Sequence, residues 1–222
     1  MYEAKRDPRK ETDKTKPAVK KAKWKLRAEE DLSKIPGLNL VVLRLAHVYG
    51  PYTGQWLGTQ LALARVYQDT EKEMKWLWSA ELRTATVHVE DLARACWAAA
   101  EWKAKSLSGL TSSKVSQNAV DVFNIVDKGN TSQGDMAAIF RDVFGIETGF
   151  QGTLINTFAR LNLGHVVDDL NDETLDPWAD MQNESGIDAG SAPLTPFMEK
   201  ELLRDADLSL DGSKFEKTIG FT

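Results

Sequence analysis

The spacing of apolar and polar positions divides the chain into segments of helical and strand type. Polar residues fill positions 3–16, which predicts a surface loop. Apolar positions at helical spacing over 18–34 predict a helix, which Pro36 and the glycine after it end. The nearly continuous apolar run over 39–45 is typical of a strand that is covered on both faces. Helix, short turn and buried strand together predict one αβ unit of a parallel sheet.

Further segments with helical and strand-like patterns follow along the chain. We predict helices over 55–68, 90–103 and 132–144, and strands over 75–78, 84–89 and 121–126. Thr131 or Ser132 is placed to cap the third of these helices, and Gly145 is placed to end it. A last short helix is predicted just before Gly220. Helices that alternate with short apolar strands predict an α/β fold.

Composition narrows the class of protein. The chain has 222 residues, of which 42% are hydrophobic and 27% are charged, as in an ordinary globular protein. Its longest apolar runs are far shorter than the roughly 20 residues of a membrane span, and Met1 opens onto a Lys/Arg-rich stretch without a secretory signal. A single cysteine and three widely spaced histidines give no pattern for a metal site. We therefore expect a cytoplasmic protein with neither a membrane partner nor a bound metal.

The charges are distributed unevenly. Residues 1–35 carry 12 basic and 7 acidic side chains, whereas residues 165–222 carry 4 basic and 14 acidic ones. A basic segment can bind nucleic acid or an acidic membrane surface. Acids interrupt this one, and few aromatic residues lie within it, which favours a solvated loop and helix face. Nucleic-acid binding through residues 1–35 stays open as the weaker alternative.

Three short motifs follow one another in a specific order and spacing. They are KLRAE at 25–29, VVLRLAHVYGP at 41–51 and RTATVHVEDLA at 83–93. Phe-Asn-Ile at 123–125 and a closing Ile-Gly-Phe at 219–221 come after them. From about residue 2 to residue 221, this order resembles the carboxy-terminal half of the extended short-chain dehydrogenase/reductase family, the NAD-dependent epimerase/dehydratases.

The resemblance implies a Rossmann-like fold, a doubly wound parallel sheet, with a smaller, mostly helical substrate domain. Residues 1–130 would be the carboxy-terminal part of the NAD(P)-binding domain, with insertions belonging to the substrate domain around 52–82. Residues 131–222 would form the mostly helical substrate-binding region. The family's first strand and glycine-rich turn have no match in this sequence, so we expect an N-terminally truncated fold. We also expect poor solubility or low stability, and no measurable NAD or NADP binding by this chain alone.

In the family, a Tyr-x-x-x-Lys pair carries the chemistry. The lysine lowers the pKa of the tyrosine and binds the ribose, and a spacing of four places both side chains on one helix face. Lys25 matches the lysine, but Lys21 stands at the tyrosine position. Tyr49 and Tyr52 lie beyond the next strand and would need an unusual geometry to replace the phenol. The alternative for Lys25 is an ordinary surface lysine on a basic helix.

The resemblance also assigns cofactor and substrate contacts. Leu45 and Ala46 would lie beside the nicotinamide carboxamide. Tyr49 belongs to the same end of the strand, which would bind the cofactor. His47 would face the substrate, as a hydrogen-bond donor or as an acid/base near neutral pH; the alternative is a packed, hydrogen-bonded histidine. Arg83 would grip a diphosphate; the alternative is an exposed arginine at the start of a strand.

Other conspicuous residues are interpreted as structural. His88 and Asp91 match a motif that anchors the start of a helix, and Asn124 is expected to fix a strand end. Cys96 is expected to be buried in a helix. The remaining group is a set of tryptophans expected in the core, or else lining an apolar substrate pocket: Trp76, Trp78, Trp97 and Trp102.

The function implied by the resemblance is that of an NAD(P)-dependent epimerase/dehydratase-type oxidoreductase. It would act on a sugar-nucleotide or another small molecule with a hydroxyl or carbonyl group, with NAD or NADP as cofactor. A homodimer is compatible with the resemblance. The lysine at position 21 supports a different hypothesis, in which the chain is a non-catalytic relative that keeps the fold to bind a nucleotide or a protein partner.

Overall fold

The computed structural model describes residues 2–108, 120–188 and 190–221. They form alternating helices and short strands, as the sequence pattern predicted. In chain order these are α1 (Lys20–Ser33), β1 (Val41–Leu45), β2 (His47–Tyr49), α2 (Leu57–Asp69), β3 (Met74–Trp76), β4 (Thr86–His88), α3 (Val89–Ser108), β5 (Asp121–Ile125), α4 (Gln133–Phe144), β6 (Thr148–Phe150), α5 (Thr153–Glu184), a 3₁₀ turn (Lys200–Leu203) and α6 (Ser213–Ile219). No helix in this part of the chain is long and apolar enough to cross a membrane.

The chain divides into two units that interleave along the sequence. The first unit comprises Met1–Gly50, Thr84–Asn130 and Asp207–Thr222. The second comprises Pro51–Arg83 and Thr131–Ala206.

Parallel strands organise the first unit. β1 pairs with β5 and β2 pairs with β4, both in parallel. The chain passes from one partner to the other at Ala46: the Ala46 N–H donates to the Ile125 carbonyl at 3.0 Å, and the His47 N–H donates to the Ala85 carbonyl at 2.9 Å. The core beneath these strands consists of small and aromatic residues: Ala46, Ala85, Val87, Ala95, Ala99, Phe123, Ile125 and Phe215.

The prediction that the first strand is covered on both faces is wrong. Residues Val41–Leu45 are half-buried or exposed, and Leu45 keeps 40% of its surface accessible. Among the described residues, β1 hydrogen-bonds along one edge only, to β5. α1 buries none of its residues, and Trp24 is 66% exposed. The apolar run therefore indicated correctly which residues form a strand. It did not indicate how deeply those residues are buried.

Short elements pack around a second core in the other unit. β3 pairs in parallel with β6, and α2 and α4 pack against them. The buried cluster contains Trp56, Leu63, Ala64, Tyr67, Met74, Trp76, Met136, Ala137, Phe140, Ile146 and Met198. α5 is interrupted at Asn162, whose φ of −140° and ψ of 52° are not helical.

The caps of α4 are those that the sequence predicted. The Ser132 hydroxyl accepts from the Asp135 backbone N–H at 3.1 Å, and the Asp135 carboxylate accepts from the Ser132 backbone N–H at 2.8 Å. This reciprocal pair satisfies two helix-end donors. Gly145 ends the helix in the left-handed conformation, with φ of 65°, and its N–H donates to the Arg141 carbonyl.

Two predictions about α3 are wrong. Cys96 is exposed, and Trp97 is 70% exposed. The buried stripe of α3 is formed by Ala95 and Ala99, which are one turn apart, so residues 96 and 97 lie off that stripe. Trp102 packs edge-on against Phe123, with ring centroids 5.6 Å apart.

The four tryptophans do not form one core. Trp76 and Trp78 are buried, but in the second unit, whereas Trp97 and Trp102 belong to the first. Local sequence marks all four as large apolar residues and cannot assign them to different cores.

Candidate functional site

A buried ion pair fixes α1 against β1. The Arg44 Nη2 donates to Glu29 Oε2 at 2.7 Å, and the Arg44 Nε donates to Glu29 Oε1 at 3.2 Å. The two side chains are only 10% and 15% exposed. A two-point guanidinium–carboxylate contact sets both distance and orientation, so this pair determines which face of α1 lies toward the strand.

Lys21 and Lys25 lie on the same face of α1 as Glu29, because the three residues are spaced four apart. Lys25 lies one turn before Glu29 in the helix, and Lys21 lies two turns before it. Both lysines are exposed. Glu29 contacts Arg44, the residue before the last one of β1.

The phenol of Tyr2 belongs to the same network. Its hydroxyl accepts from Arg44 Nη1 at 2.8 Å and donates to Asn124 Oδ1 at 2.8 Å. The Arg44 guanidinium also lies 5.0 Å from the centroid of the Tyr2 ring. Burial raises the pKa of Tyr2. Tyr2 is therefore a structural phenol with both hydrogen-bonding roles filled, and sequence reasoning missed this role.

Asn124 connects the network to three other segments. It is completely buried, and its Nδ2 donates to the Arg9 carbonyl at 2.9 Å and to the Asp211 carbonyl at 3.3 Å. Its backbone N–H donates to Glu11 Oε1 at 2.8 Å. The expected strand-end role of Asn124 is thus wider: it holds the polar segment near the amino terminus and the segment before α6 against β5.

The carboxyl ends of β2, β4 and β5 bring several polar side chains together. The rings of Tyr49 and His88 meet edge to face, with centroids 5.1 Å apart. The Thr86 hydroxyl donates to Asp127 Oδ2 at 2.6 Å, just after β5 ends. Ligands of open parallel sheets bind outside the carboxyl ends of the strands. This edge, with Leu45, Ala46, His47 and Tyr49 on the strands that form it, is the candidate site.

His47 and Tyr49 are held in states that limit their chemistry. Burial lowers the pKa of His47 to about 4, so its imidazole is neutral at pH 7 and can donate or accept one hydrogen bond through each nitrogen. Burial raises the pKa of Tyr49, and the carboxylates of Asp127 and Asp91 raise it further. A raised pKa is the opposite of what a tyrosinate base needs.

Gly50 is required by close packing at this edge. Its φ is +122°, and a Cβ built on it would lie 2.8 Å from His88 Nε2 and 2.9 Å from Val89 Cγ1. Both distances are shorter than real Cβ contacts allow. The missing side chain of Gly50 therefore leaves room for the His88 ring.

Arg83 lies in the second unit, whereas the other candidate residues lie in the first. It is half-buried and forms a bridge with Ser132 ahead of α4. Hydrogen bonds from Ser132 lower the pKa of Asp135, and the charge of Arg83 lowers it further. The structure thus brings Leu45, Ala46, His47 and Tyr49 to one sheet edge, and Arg83 belongs to the other unit.

The residues present match one half of a dinucleotide site. By the family resemblance, Lys25, Leu45, Ala46 and Tyr49 would hold the nicotinamide-ribose end. Leu45 lies at the end of β1, Ala46 follows it, and Tyr49 lies at the end of β2. The 222 residues contain no glycine-rich strand-turn-helix motif for a pyrophosphate. The described residues contain no group of three or more His, Cys, Asp or Glu side chains that could hold a metal ion.

Comparison with known proteins agrees with this description. Residues 1–111 match the model of the NAD dependent epimerase/dehydratase family. UDP-glucuronic acid 4-epimerase from Bacillus cereus, solved with UDP-glucuronic acid and NAD, is 15% identical with a TM-score of 0.56 over 100% of this chain and 52% of its own. MoeE5, also solved with UDP-glucuronic acid and NAD, is 16% identical with a TM-score of 0.54 over 100% of this chain and 56% of its own.

These similarities establish the fold. The chain spans about half the length of the solved structures that it matches. No curated protein matches the chain significantly.

Proposed function

Because the chain belongs to the NAD-dependent epimerase/dehydratase family, we propose that it supplies the substrate side of an NAD(P)-dependent epimerase or dehydratase acting on a sugar-nucleotide. The substrate class is taken from the solved neighbours, which carry UDP-glucuronic acid and NAD. The proposal includes a Rossmann-like part within residues 1–130, a substrate-binding part formed by 131–222 with 52–82, and a cytoplasmic location. We also propose that the protein forms a homodimer.

The observation that carries the proposal is the arrangement of one sheet edge. The backbone hydrogen bonds of Ala46 and His47 shift the strand from β5 to β4, and ligands of open parallel sheets bind outside the carboxyl ends of the strands. The Glu29–Arg44 ion pair sets the face of α1 that carries Lys25 toward the same end of β1. The family motifs therefore meet in space as well as in sequence order.

Each candidate residue has a role that its surroundings permit. The Lys25 ammonium would hydrogen-bond the ribose of the cofactor, and Leu45, Ala46 and Tyr49 would line its nicotinamide end. His47, neutral at pH 7, would hydrogen-bond a sugar hydroxyl rather than transfer a charge. A bound NAD(P) would supply the chemistry of taking up a hydride from the substrate and giving it back. Arg83 would hold the diphosphate by two-point hydrogen bonding.

A second function, non-catalytic binding, is supported by the state of the phenols. Lys21 stands where the family has its tyrosine. Tyr2 has both hydrogen-bonding roles filled, and the pKa of Tyr49 is raised. Without a phenol that ionises readily, the chain would keep the fold to bind a nucleotide or a partner without turnover.

Calorimetric titration with UDP-glucuronic acid, NAD and NADP tests the proposal. We expect the sugar-nucleotide to bind, and Arg83→Met to weaken that binding about tenfold or more, since a charged hydrogen bond contributes about 1.5–3 kcal/mol. Arg65→Met is the matched control, because Arg65 is an exposed arginine of the same unit that pairs with Asp69. Equal binding by both variants, or no binding by the unchanged chain, would show the proposed substrate class to be wrong.

Turnover separates the two functions. Conversion of the sugar-nucleotide is followed by chromatography in the presence of NAD or NADP, with the unchanged chain and with Lys25→Met, because a returned hydride leaves no net NADH or NADPH. Turnover that Lys25→Met abolishes would exclude the non-catalytic function. Sugar-nucleotide binding without any turnover would support it.

A further inference from the structure

Asp127 follows the end of β5, at the sheet edge that forms the candidate site. Its backbone N–H donates to the Thr86 carbonyl at 2.8 Å, which joins the chain after β5 to β4. Its carboxylate accepts from the Thr86 hydroxyl at 2.6 Å through Oδ2 and from the Gly129 N–H at 2.9 Å through Oδ1. These hydrogen bonds fix the carboxylate at the ends of the strands.

The carboxylate of Asp127 lies beside His47. His47 and Thr86 are register partners in the parallel pair of β2 and β4. Register partners of a parallel pair place their side chains on the same face of the sheet, and neighbouring strands are about 4.8 Å apart. Because the Thr86 hydroxyl donates to Asp127, only Thr86 separates the position of His47 from this carboxylate. Tyr49 and His88, the register pair two residues further on, belong to the same face.

The negative charge of Asp127 is not balanced by a basic side chain. Within the part of the chain that the structure describes, the two hydrogen bonds to its carboxylate come from a hydroxyl and a backbone N–H. His47 adds no positive charge at pH 7, because burial lowers its pKa to about 4. Burial raises the pKa of Tyr49, and the charges of Asp127 and Asp91 raise it further. The space beside His47 and Tyr49 therefore has a negative electrostatic potential.

We propose that Asp127 determines which sugar the site accepts: its carboxylate accepts a hydrogen bond from a hydroxyl of an uncharged hexose and disfavours a uronic acid. This inference rests on the proposed function, in which His47 hydrogen-bonds a sugar hydroxyl. An ionised carboxylate has about four acceptor positions, so Asp127 can accept from the sugar in addition to its two present donors.

Repulsion of the charged sugar gives the selectivity. The ionised carboxylate of a uronic acid has no proton to donate to Asp127 and carries a charge of the same sign. Asp127 is half-buried, so water screens this repulsion less than it does at an open surface. A site can discriminate by opposing the wrong ligand as well as by binding the right one. The preferred sugar of this chain would thus differ from the UDP-glucuronic acid bound by the two solved relatives.

Calorimetric titration of the full chain with UDP-glucose and UDP-glucuronic acid tests the inference. The two probes share the nucleotide and the sugar ring and differ at one carbon, which carries a hydroxymethyl group in the first and a carboxylate in the second. At about 0.15 M salt, we expect UDP-glucose to bind about tenfold more tightly. The ratio of the two dissociation constants does not depend on the fraction of folded chain, since that fraction lowers both apparent affinities equally.

Two substitutions separate the charge of Asp127 from charge in general. Asp127→Asn removes the charge and keeps the shape of the side chain, so the ratio should fall to about threefold or less. Glu101→Gln is the matched control, because Glu101 is an exposed carboxylate of the same unit. It lies twelve positions after Val89, where α3 begins, and is therefore about 18 Å along that helix. That distance exceeds the screening length of about 8 Å, so this variant should keep the tenfold ratio.

A third variant, Thr86→Val, removes the hydrogen bond to Asp127 and keeps the charge, so most of the preference should remain. A loss of preference as large as that of Asp127→Asn would place the effect in the hydrogen bond and overturn the inference. So would equal binding of the two probes by the unchanged chain, tighter binding of UDP-glucuronic acid, or a ratio that Asp127→Asn leaves unchanged. Each of these results leaves the proposed function in place, whereas binding of neither probe would overturn both.

Discussion

Glu29 and Arg44 hold a helix and a strand together by a two-point ion pair that is almost out of reach of solvent. The shortest contact is 2.7 Å, and both side chains are at least 85% buried. Arg44 extends the link through Tyr2 to Asn124 on β5. α1 buries no residue of its own, so its position depends on this polar contact more than on apolar packing.

The first prediction concerns that ion pair. Glu29→Ala leaves the Arg44 guanidinium buried without its carboxylate, and breaking a buried pair in this way costs about 3 kcal/mol. Urea unfolding should show the corresponding decrease in the free energy of unfolding. Glu30→Ala is the control, because Glu30 is exposed on the same helix, and it should change stability by less than about 0.5 kcal/mol. Equal effects of the two substitutions would contradict the assigned role of Glu29.

The second prediction distinguishes the loss of stability caused by a steric clash from the loss caused by a strained backbone. Gly50→Ala adds a Cβ 2.8 Å from His88 Nε2 at a φ of +122° and should cost about 3 kcal/mol or more. Gly37→Ala also has a positive φ, +76°, but no atom lies within 4 Å of its new Cβ. That variant should lose about 1 kcal/mol, for the backbone alone. Thermal unfolding of both variants measures the difference, and equal losses would show that the His88 contact does not matter.

The third prediction concerns the pH dependence of stability. The folded protein holds the pKa of His47 at about 4, below the value of 6.5 expected for the unfolded chain. Between these values the unfolded chain binds more protons, so this contribution to stability is complete above pH 6.5 and is lost as pH falls toward 4. The loss amounts to about 2.5 kcal/mol by pH 4.5.

His47→Gln tests this assignment, because glutamine does not titrate. In urea unfolding at pH 7.5, 6 and 5, the variant should lose less stability on acidification than the unchanged chain. His165→Gln is the control for replacing a histidine at an exposed position. A slope that His47→Gln leaves unchanged would place the acid sensitivity in the carboxylates instead.

The fourth prediction concerns the open edge of β1. Since β1 pairs only with β5 among the described residues and Leu45 is 40% exposed, we expect low stability and association on heating. Light scattering during a thermal ramp should rise as the chain unfolds. Leu45→Lys should delay that rise, because a charge on an edge strand opposes edge-to-edge pairing. A sharp, reversible melt of the unchanged chain without scattering would contradict the expectation.

Local sequence was sufficient where short-range contacts decide the structure. The helix over 132–144 was predicted with both ends, because the cap of Ser132 depends on a residue three positions away and Gly145 depends only on its own φ. The α/β class also followed from the pattern. The family followed from the order of three motifs, and the match over residues 1–111 confirmed it.

Burial was predicted less well, because it depends on which residues from distant parts of the sequence pack against a side chain. Cys96 and Trp97 were expected inside and are exposed, since Ala95 and Ala99 form the buried stripe of α3. The strand over 39–45 has an apolar pattern suited to two covered faces but has one hydrogen-bonded neighbour in the part that the structure describes.

The sequence alone therefore determined most of the elements, the caps of α4 and the family, because these depend on residues a few positions apart or on the order of motifs. Only the tertiary structure decided what Tyr2 does, since its hydroxyl meets Arg44 and Asn124, which lie 42 and 122 positions away. The same holds for the contact between Gly50 and His88 and for the low pKa of His47. Such properties arise from the packing of distant segments, which no local pattern encodes.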